Sequence, residues 1–265
     1  MTKPKDFLRP YYDRIFSLIY SKKKTLEVKH AGYSFLFSTS TEEANNWFFP
    51  RYRKGQLHEP EISKLLIENL EDDHVFYDVG SHVGYYSVLA AEVCTEGEIY
   101  SFEIDPNLIP SIENHIRLNG FKNLNIVNSA VSDRSGSFVG FEPRQGENLS
   151  TNEITSSGKT LTQTVSLRDF ASSEEEPDFV KIDVEGNEKK VLEGLFEDNS
   201  ENLRYILVEV HPDNVATEDL KAISQLLSGE NFELKEIPHR QKDAEIFSIE
   251  DLSELEQNKM IFCTR

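Results

Sequence analysis

The chain has 265 residues and carries 28 Lys and Arg side chains against 47 Asp and Glu, which gives a net charge of −19 and a pI near 4.8. Its 38% hydrophobic content, with 17 Phe and 10 Tyr, is enough for a substantial core and excludes an intrinsically disordered chain. Because so negative a surface repels a phosphate backbone, we expect no nucleic-acid partner.

The charge is distributed unevenly along the chain. Residues 1–24 contain seven basic and two acidic side chains, for a net charge of +5, so the rest of the chain carries −24. An acidic body of this kind fits either a protein adapted to a salty cytoplasm or an ordinary acidic enzyme.

The cysteines and the apolar runs predict the compartment. Cys94 and Cys263 lie far apart in apolar surroundings, as the buried thiols of a protein in a reducing compartment do. No run approaches the roughly 18 apolar residues of a membrane-spanning helix. The segment Met1–Pro10 lacks the apolar core of a signal peptide. We therefore expect a cytoplasmic protein.

Residues 1–58 are predicted to form an extension in front of a main domain that spans residues 59–265. Apolar residues recur at helical spacing over Phe7–Tyr20, and three lysines follow. This basic helix, within residues 7–24, either contacts a membrane surface that carries a lipid-linked glycan or docks on the body of the protein or on a second subunit.

A hairpin and a helix are predicted between the basic segment and residue 75. Two apolar segments, Thr25–Val28 and Tyr33–Phe37, flank a turn that contains Gly32, as in a β-hairpin. In Glu59–Leu70 the apolar residues share one helical face. The hairpin would complete the extension, and the helix would open the main domain.

Short apolar strands and amphipathic helices alternate from Val75 onward. This alternation implies right-handed crossovers and an α/β domain whose mostly parallel, seven-stranded sheet is covered by helices on both faces. The segment Phe138–Phe170, rich in Ser, Thr and Gly, is predicted to add antiparallel strands and a mobile flap. The predicted strands are Val75–Val79, Ile99–Ile104, Leu124–Val127, Phe179–Val184, Tyr205–Val210, Phe232–Ile237 and Lys259–Cys263, and the predicted helices are Tyr85–Val93, Leu108–Leu118, Glu188–Leu195 and Leu220–Leu227.

A glycine-containing junction follows the first of these strands. It reads Asp78-Val79-Gly80-Ser81-His82-Val83-Gly84, with Gly80 at a tight turn and Gly84 where the next helix starts close to the sheet. Asp78 could accept from an ammonium group or orient the loop. The spacing differs from the Gly-x-Gly-x-x-Gly of dinucleotide-binding folds, which need a third glycine. The junction is thus either a cofactor-binding loop or a plain strand-turn-helix connection.

The next strand ends in Phe102-Glu103-Ile104-Asp105-Pro106, and Glu103 follows Gly80 by 23 residues. A carboxylate at this edge of the sheet can accept both hydroxyls of a ribose. Asp105 is predicted to be a helix N-cap, because Pro106 follows it in the favoured first-turn position. Glu103 and the glycine loop together predict a cofactor that contains a nucleoside.

Two further strand ends carry candidate catalytic groups. Asp183 emerges at the carboxyl edge of its strand, where it could orient or deprotonate an acceptor hydroxyl. Glu209 and His211 share a face of the neighbouring strand, with the imidazole expected at the rim and the carboxylate deeper. His211 is a candidate general base, since a near-neutral pKa suits proton removal. The structural alternatives are an ion pair between Glu209 and Lys181 and a His211 that caps its strand.

These motifs resemble the FkbM family of S-adenosylmethionine-dependent methyltransferases. The resemblance covers about residues 59–210 and rests on the Asp78–Gly84 loop, on Phe102-Glu103, and on the Lys181–Glu188 segment with Val191-Leu192-Glu193-Gly194 after it. It implies a Rossmann-like methyltransferase fold with strand order 3-2-1-4-5-7-6, and O-methylation, often of sugars or polyketide-type natural products.

The resemblance also implies site residues by position. The glycine loop and Asp78 would hold the methionine end of S-adenosylmethionine, Glu103 the ribose, and Ala130 would lie near the adenine ring. Family members commonly have Ala-Asn where this chain has Ser81-His82, which puts a titratable imidazole near the cofactor. The residues that would bind the cofactor are therefore Asp78, Gly80, Ser81, His82, Gly84, Glu103 and Ala130.

The activity expected is S-adenosylmethionine-dependent methylation of a hydroxyl on a sugar, glycan or related small molecule, with Asp183 and His211 as catalytic residues. Alternatively, Asp183, Glu209 and His211 could gather a divalent metal that binds the acceptor oxygen. The sequence has no dedicated ligand cluster, so no metal is expected. An NAD(P)-dependent oxidoreductase and a non-catalytic cofactor-binding scaffold are the rival functions.

Overall fold

The computed structural model describes residues 24–52, 55–141, 154–155, 160–196, 202–237 and 246–265. The helix predicted over Phe7–Tyr20 and residues 142–153 and 156–159 of the predicted flap lie outside the described residues. Within the described ranges, each helix falls short of the length and apolarity that a membrane span requires.

The chain forms fourteen strands and seven α-helices over these ranges. The strands are β1 (Thr25–His30), β2 (Tyr33–Ser38), β3 (Phe76–Val79), β4 (Ile99–Phe102), β5 (Leu124–Val127), β6 (Ala130–Val131), β7 (Phe138–Phe141), β8 (Ile154–Thr155), β9 (Thr160–Val165), β10 (Phe179–Ile182), β11 (Tyr205–Val210), β12 (Glu233–Ile237), β13 (Phe247–Ser248) and β14 (Lys259–Thr264). The helices are α1 (Glu42–Tyr52), α2 (Pro60–Asn69), α3 (Tyr85–Val93), α4 (Ile109–Asn119), α5 (Leu167–Ala171), α6 (Glu188–Leu195) and α7 (Thr217–Gly229).

The central sheet has the order β5-β4-β3-β10-β11-β14-β12-β13. Strands β5, β4, β3, β10 and β11 are parallel, and β14 runs antiparallel between β11 and β12. This is the order 3-2-1-4-5-7-6 with one added edge strand, so the expected Rossmann-like fold is confirmed. The sheet has eight strands where seven were predicted, because the two-residue β13 is too short to leave a periodic signal in the sequence.

A separate apolar core covers each face of this sheet. Side chains alternate along a strand, so Phe76 and Phe179 join one core while Tyr77 and Val180 join the other. Residues of α2, α3 and α4 fill the first core, and residues of α5, α6 and α7 fill the second. The predicted coverage by helices on both faces is therefore correct.

The hairpin of β1 and β2 packs against the first core. Its two-residue turn has positive φ at both positions, Ala31 at 51° and Gly32 at 91°, which matches the twist of a tight hairpin. Phe35 and Phe37 are buried in the core, and the backbone N–H of Ser38 donates to Nδ1 of His115 on α4 across 2.9 Å. The boundary proposed after residue 58 stays a prediction.

Strands β6, β7, β8 and β9 form a second, four-stranded sheet in the order β6-β9-β7-β8. Strand β7 pairs antiparallel with both β8 and β9, as the Ser- and Thr-rich segment predicted, while β6 pairs parallel with β9. Two helices, α1 and α5, were missed. Side-chain oxygens stabilise both starts: Thr41 accepts from the N–H of Ala44, and Ser166 from that of Asp169.

Candidate active site

The glycine loop connects β3 to α3 and lies directly against the end of β10. Gly80 has a φ of +76°, and a β-carbon there would sit 1.9 Å from the carbonyl oxygen of Asp183. Gly84 has a φ of +81°, and its β-carbon would lie 3.0 Å from the Ile112 side chain of α4. The first glycine is therefore required for the loop to touch the strand that carries Asp183.

Backbone hydrogen bonds hold the loop in shape. The N–H groups of Gly80 and Ser81 both donate to the carbonyl of Phe102 across 3.0 Å, and the N–H of Gly84 donates to the carbonyl of Ser81 across 2.8 Å. His82 has a φ of 54°, which is unfavourable for a residue with a side chain. The Ser81 hydroxyl is buried and has no hydrogen-bond partner among the described residues, so a ligand can supply one.

Glu103 is a buried carboxylate held rigidly at the carboxyl end of β4. Its Oε2 accepts from the N–H of His82 across 2.7 Å, and its Oε1 accepts from the N–H of Asp105 across 2.8 Å. The side-chain amide of Asn128 donates to the carbonyl of Glu103 across 2.7 Å. A carboxylate oxygen can accept more than one hydrogen bond, so these N–H donors do not prevent Glu103 from accepting from a ribose hydroxyl.

Asp105 does not cap a helix, so this prediction is wrong. Its Oδ1 accepts from the backbone N–H of Asn107 across 2.9 Å, which closes a turn. Helix α4 begins only at Ile109, with Leu108 in the N-cap position and Pro110 in the first turn. Of the two prolines near this start, Pro106 lies before the helix and Pro110 lies in its first turn.

Asp78 lies beneath the glycine loop, fully buried. Its Oδ2 accepts from the Ser87 hydroxyl of α3 across 2.6 Å, and its Oδ1 lies 3.5 Å from Nζ of Lys181. The Lys181 ammonium also donates to the carbonyl of Gly80 across 3.3 Å and lies 3.5 Å from Oδ2 of Asp183. Lys181 thus connects the glycine loop to the strand end that carries Asp183.

The predicted ion pair between Lys181 and Glu209 is wrong. The register of the parallel strands places Asp78 of β3 and Leu207 of β11 opposite Lys181, while Glu209 lies two residues further along β11. Burial lowers the pKa of Lys181, but the surrounding carboxylates outweigh it, chiefly Asp183 and then Asp78, so that the pKa is raised. Lys181 is therefore a fixed cation.

His211 is held by a buried carboxylate that the sequence analysis did not assign. The Nδ1 of His211 donates to Oε1 of Glu188 across 2.7 Å, and the same oxygen accepts from the N–H of Gly186 across 2.9 Å. The opposite nitrogen, Nε2, lies 3.8 Å from Oε1 of Glu209 and 4.0 Å from Oδ1 of Asp183. The ends of β10 and β11 and the first residue of α6 thus bring their polar groups to one place.

Two expectations about this histidine are wrong. The His211 side chain is 6% exposed whereas the Glu209 side chain is 19% exposed, so the imidazole is the deeper group. Burial lowers the pKa of His211, but the hydrogen bond to Glu188 and the charges of Asp183, Glu188 and Glu209 outweigh burial and raise the pKa to about 9. The near-neutral value expected of a free base is therefore not found.

Glu209 takes the near-neutral pKa instead. Burial is the largest cause, and the charge of Asp183 adds to it, while His211 opposes both, so that the pKa of Glu209 is raised to about 7. A shift of this kind at a sheet edge is typical of a functional site.

Glu188 and Lys181 are the functional candidates that the sequence analysis missed. The spacing of Glu188, Val191, Leu192 and Leu195 puts the carboxylate on the buried face of α6, and this pattern could have revealed it. Ala130 is buried at the start of β6, where it pairs with Thr164 in the smaller sheet. Its contact with an adenine ring stays a prediction.

The comparisons with known proteins agree with one another. The model of the FkbM methyltransferase domain matches residues 78–234, which is more than half of the chain. The hexuronic acid methyltransferase AglP of Haloferax volcanii is 30% identical over 173 residues, which cover 64% of this chain and 68% of AglP. A crystal structure of methyltransferase FkbM from Methylobacillus flagellatus has a TM-score of 0.52 at 14% identity, covers 74% of this chain and 44% of that chain, and supports the fold alone. The chain belongs to the FkbM methyltransferase family.

Proposed function

We propose that this methyltransferase transfers a methyl group from S-adenosylmethionine to an oxygen of a sugar acid. One observation carries the proposal: the glycine loop contacts the strand end of Asp183 at Gly80, so cofactor-binding and catalytic residues adjoin. The family match and the similarity to a hexuronic acid methyltransferase support the reaction and the acceptor class.

The residues present fit S-adenosylmethionine. Glu103 offers two anchored oxygens for the ribose hydroxyls, and Ser81 offers a buried hydroxyl with no hydrogen-bond partner among the described residues. The surplus of carboxylates around Asp183 favours a cationic ligand at this edge. When bound, S-adenosylmethionine supplies an electrophilic methyl group on a sulfonium.

The residues of the chain have distinct tasks in the transfer. One oxygen–carbon bond forms and one sulfur–carbon bond breaks, and a hydroxyl acceptor also releases a proton. We assign that proton to the half-buried carboxylate of Asp183, because the raised pKa of His211 leaves its imidazole protonated. Alignment of the reacting atoms and exclusion of water supply most of the remaining acceleration.

A labelled-methyl assay tests the proposal. Labelled S-adenosylmethionine is incubated with the full chain and with matched glycans that contain or lack a hexuronic acid, and label is expected only in the acid-containing glycans. Alkali releases the label from a carboxylate ester and leaves it on a hydroxyl ether, which identifies the acceptor oxygen. No transfer to any glycan, with bound S-adenosylhomocysteine, would support the scaffold function instead.

A further inference from the structure

We infer that Asp183, Glu209 and His211 form a binding site for one divalent cation, which holds the acceptor oxygen. The role of the cation in catalysis rests on the proposed function, whereas its binding rests only on the geometry of these three residues.

The polar groups of these three residues lie close together without bonding to one another. Each residue places one potential ligand atom within 4.8 Å of those of the other two. The distances from Nε2, 3.8 Å to Glu209 and 4.0 Å to Asp183, are too long for hydrogen bonds. Ligand bonds of about 2.1 Å allow two ligands of one cation to lie up to about 4.2 Å apart. Both distances satisfy that limit.

The orientation of His211 points independently to a cation. The imidazole is 6% exposed, and its Nε2 makes no hydrogen bond to a residue in the described part of the chain. The fully buried Glu188 holds Nδ1 and thereby directs Nε2 toward the two carboxylates. Metal-binding histidines are typically oriented in this way, by a carboxylate on the other ring nitrogen.

Asp183 divides its two oxygens between neighbours. Its Oδ2 lies 3.5 Å from the ammonium of Lys181, which fixes the carboxylate, and its Oδ1 faces His211. Glu209 has no hydrogen bond to its carboxylate among the described residues, so its oxygens are available as ligands. Two carboxylates and one imidazole suit a first-row divalent cation such as Mn²⁺. His211 carries a proton on Nε2 when no cation is bound, and the cation would take the place of that proton, which is released to solvent.

The charge balance supports the same conclusion. Five carboxylates and two cationic side chains meet at this edge of the sheet: Glu59, Asp78, Asp183, Glu188, Glu209, Lys181 and His211. A hexuronic acid is itself an anion, so this surplus of negative charge would repel it. A divalent cation between the carboxylates would reverse that repulsion and bind the acceptor oxygen directly.

A second cluster serves as a matched control. Glu71, Asp73 and His74 also bring potential ligand atoms within 4.8 Å of one another, but both carboxylates are exposed. Arg204 lies 3.6 Å from Oε1 of Glu71, and its positive charge opposes a cation there. Asp73→Asn removes an aspartate carboxylate, as Asp183→Asn does. Asp73 precedes β3, at the edge of the sheet opposite the proposed site.

Mn²⁺ binding to the full chain tests the inference. The protein is stripped with a chelator, dialysed, and titrated with Mn²⁺ while electron paramagnetic resonance measures the free ion. We expect one bound Mn²⁺ in the wild type and in Asp73→Asn, and an affinity lower by about tenfold or more in Glu209→Gln and Asp183→Asn. Binding of S-adenosylhomocysteine, measured by calorimetry in excess chelator, serves as the control for folding.

The outcomes separate the two proposals. If the wild type binds S-adenosylhomocysteine but no Mn²⁺, or if Glu209→Gln and Asp183→Asn bind Mn²⁺ as tightly as the wild type, the cation site is refuted. If Mn²⁺ binds and is lost in both variants while S-adenosylhomocysteine fails to bind the wild type, the site stands and the proposed function fails.

Discussion

Hydrogen bonds and close contacts fix the positions of individual residues at the carboxyl edge of the sheet. Glu103 accepts two backbone N–H groups, and a β-carbon at Gly80 would overlap the carbonyl of Asp183. Motif spacing predicted that Gly80 and Glu103 belong to one cofactor site and that Asp183 lies at the carboxyl edge of the sheet. It could not predict that Lys181 pairs with Asp78, because strand register is a tertiary property.

Glu103→Gln is expected to weaken S-adenosylhomocysteine binding by about tenfold, since a charge-assisted hydrogen bond to a ribose contributes about 1.5–3 kcal/mol. The measurement is calorimetry on the folded variant. Glu98→Gln is the matched control: Glu98 precedes the other end of β4 and accepts from Asn125 across 2.7 Å. Equal affinities of Glu103→Gln and wild type for S-adenosylhomocysteine would contradict a contact between Glu103 and the ribose.

Gly80→Ala and Gly136→Ala form a matched pair. Both glycines have positive φ, +76° and +80°, but only Gly80 has a neighbour within reach of an added β-carbon. We expect Gly136→Ala to lower the free energy of unfolding by about 1 kcal/mol, because alanine is strained at positive φ. We expect Gly80→Ala to lower it by about 2–4 kcal/mol, because its β-carbon also overlaps a neighbouring carbonyl. Urea denaturation measures both, and equal losses would show that the close approach at Gly80 is relaxed in solution.

Secondary-structure elements were predicted best where an apolar segment has a clear pattern or clear ends. Helices α3 and α6 and strands β5 and β11 have the predicted bounds. Apolar residues recur at helical spacing in α6, while α3, β5 and β11 are apolar runs that glycine or polar residues flank. Helix α1 was missed, and so was the burial of His115 on α4, since both depend on the hairpin that packs across them. Contacts between elements distant in sequence leave no periodic signal.

His115 makes the attachment of the hairpin to α4 sensitive to pH. Burial lowers the pKa of His115 to about 4, with the Val83 carbonyl opposing it. In the unfolded chain the imidazole binds a proton near its ordinary pKa of about 6.5. Stability contributed by the neutral ring is therefore present above about pH 6.5 and is lost as pH falls toward 4.

Between pH 8 and pH 5 we expect the free energy of unfolding to fall by about 2 kcal/mol more in the wild type than in His115→Gln. Urea denaturation at both pH values, with wild type and variant compared at each, isolates this contribution from that of the many carboxylates. The same pH dependence in both proteins would contradict a buried, neutral His115.

At the scale of the whole molecule, the alternation of strands and helices predicted an α/β domain, and the family resemblance predicted the strand order. Sequence reasoning also identified Asp183, Glu209 and His211 as neighbours at one sheet edge, because parallel strands end together. The relative burial of Glu209 and His211 was predicted the wrong way round. The burial of His211 depends on Glu188, which comes from α6, and that contact depends on how the helix packs.

Calorimetric titration of the full chain with S-adenosylhomocysteine and, separately, with NAD tests the central claim most directly. The loop between Asp78 and Gly84, together with Glu103, predicts saturable one-site binding of S-adenosylhomocysteine and no measurable binding of NAD. Saturable binding of NAD without any heat from S-adenosylhomocysteine would contradict the assignment of this edge of the sheet to a methyl donor.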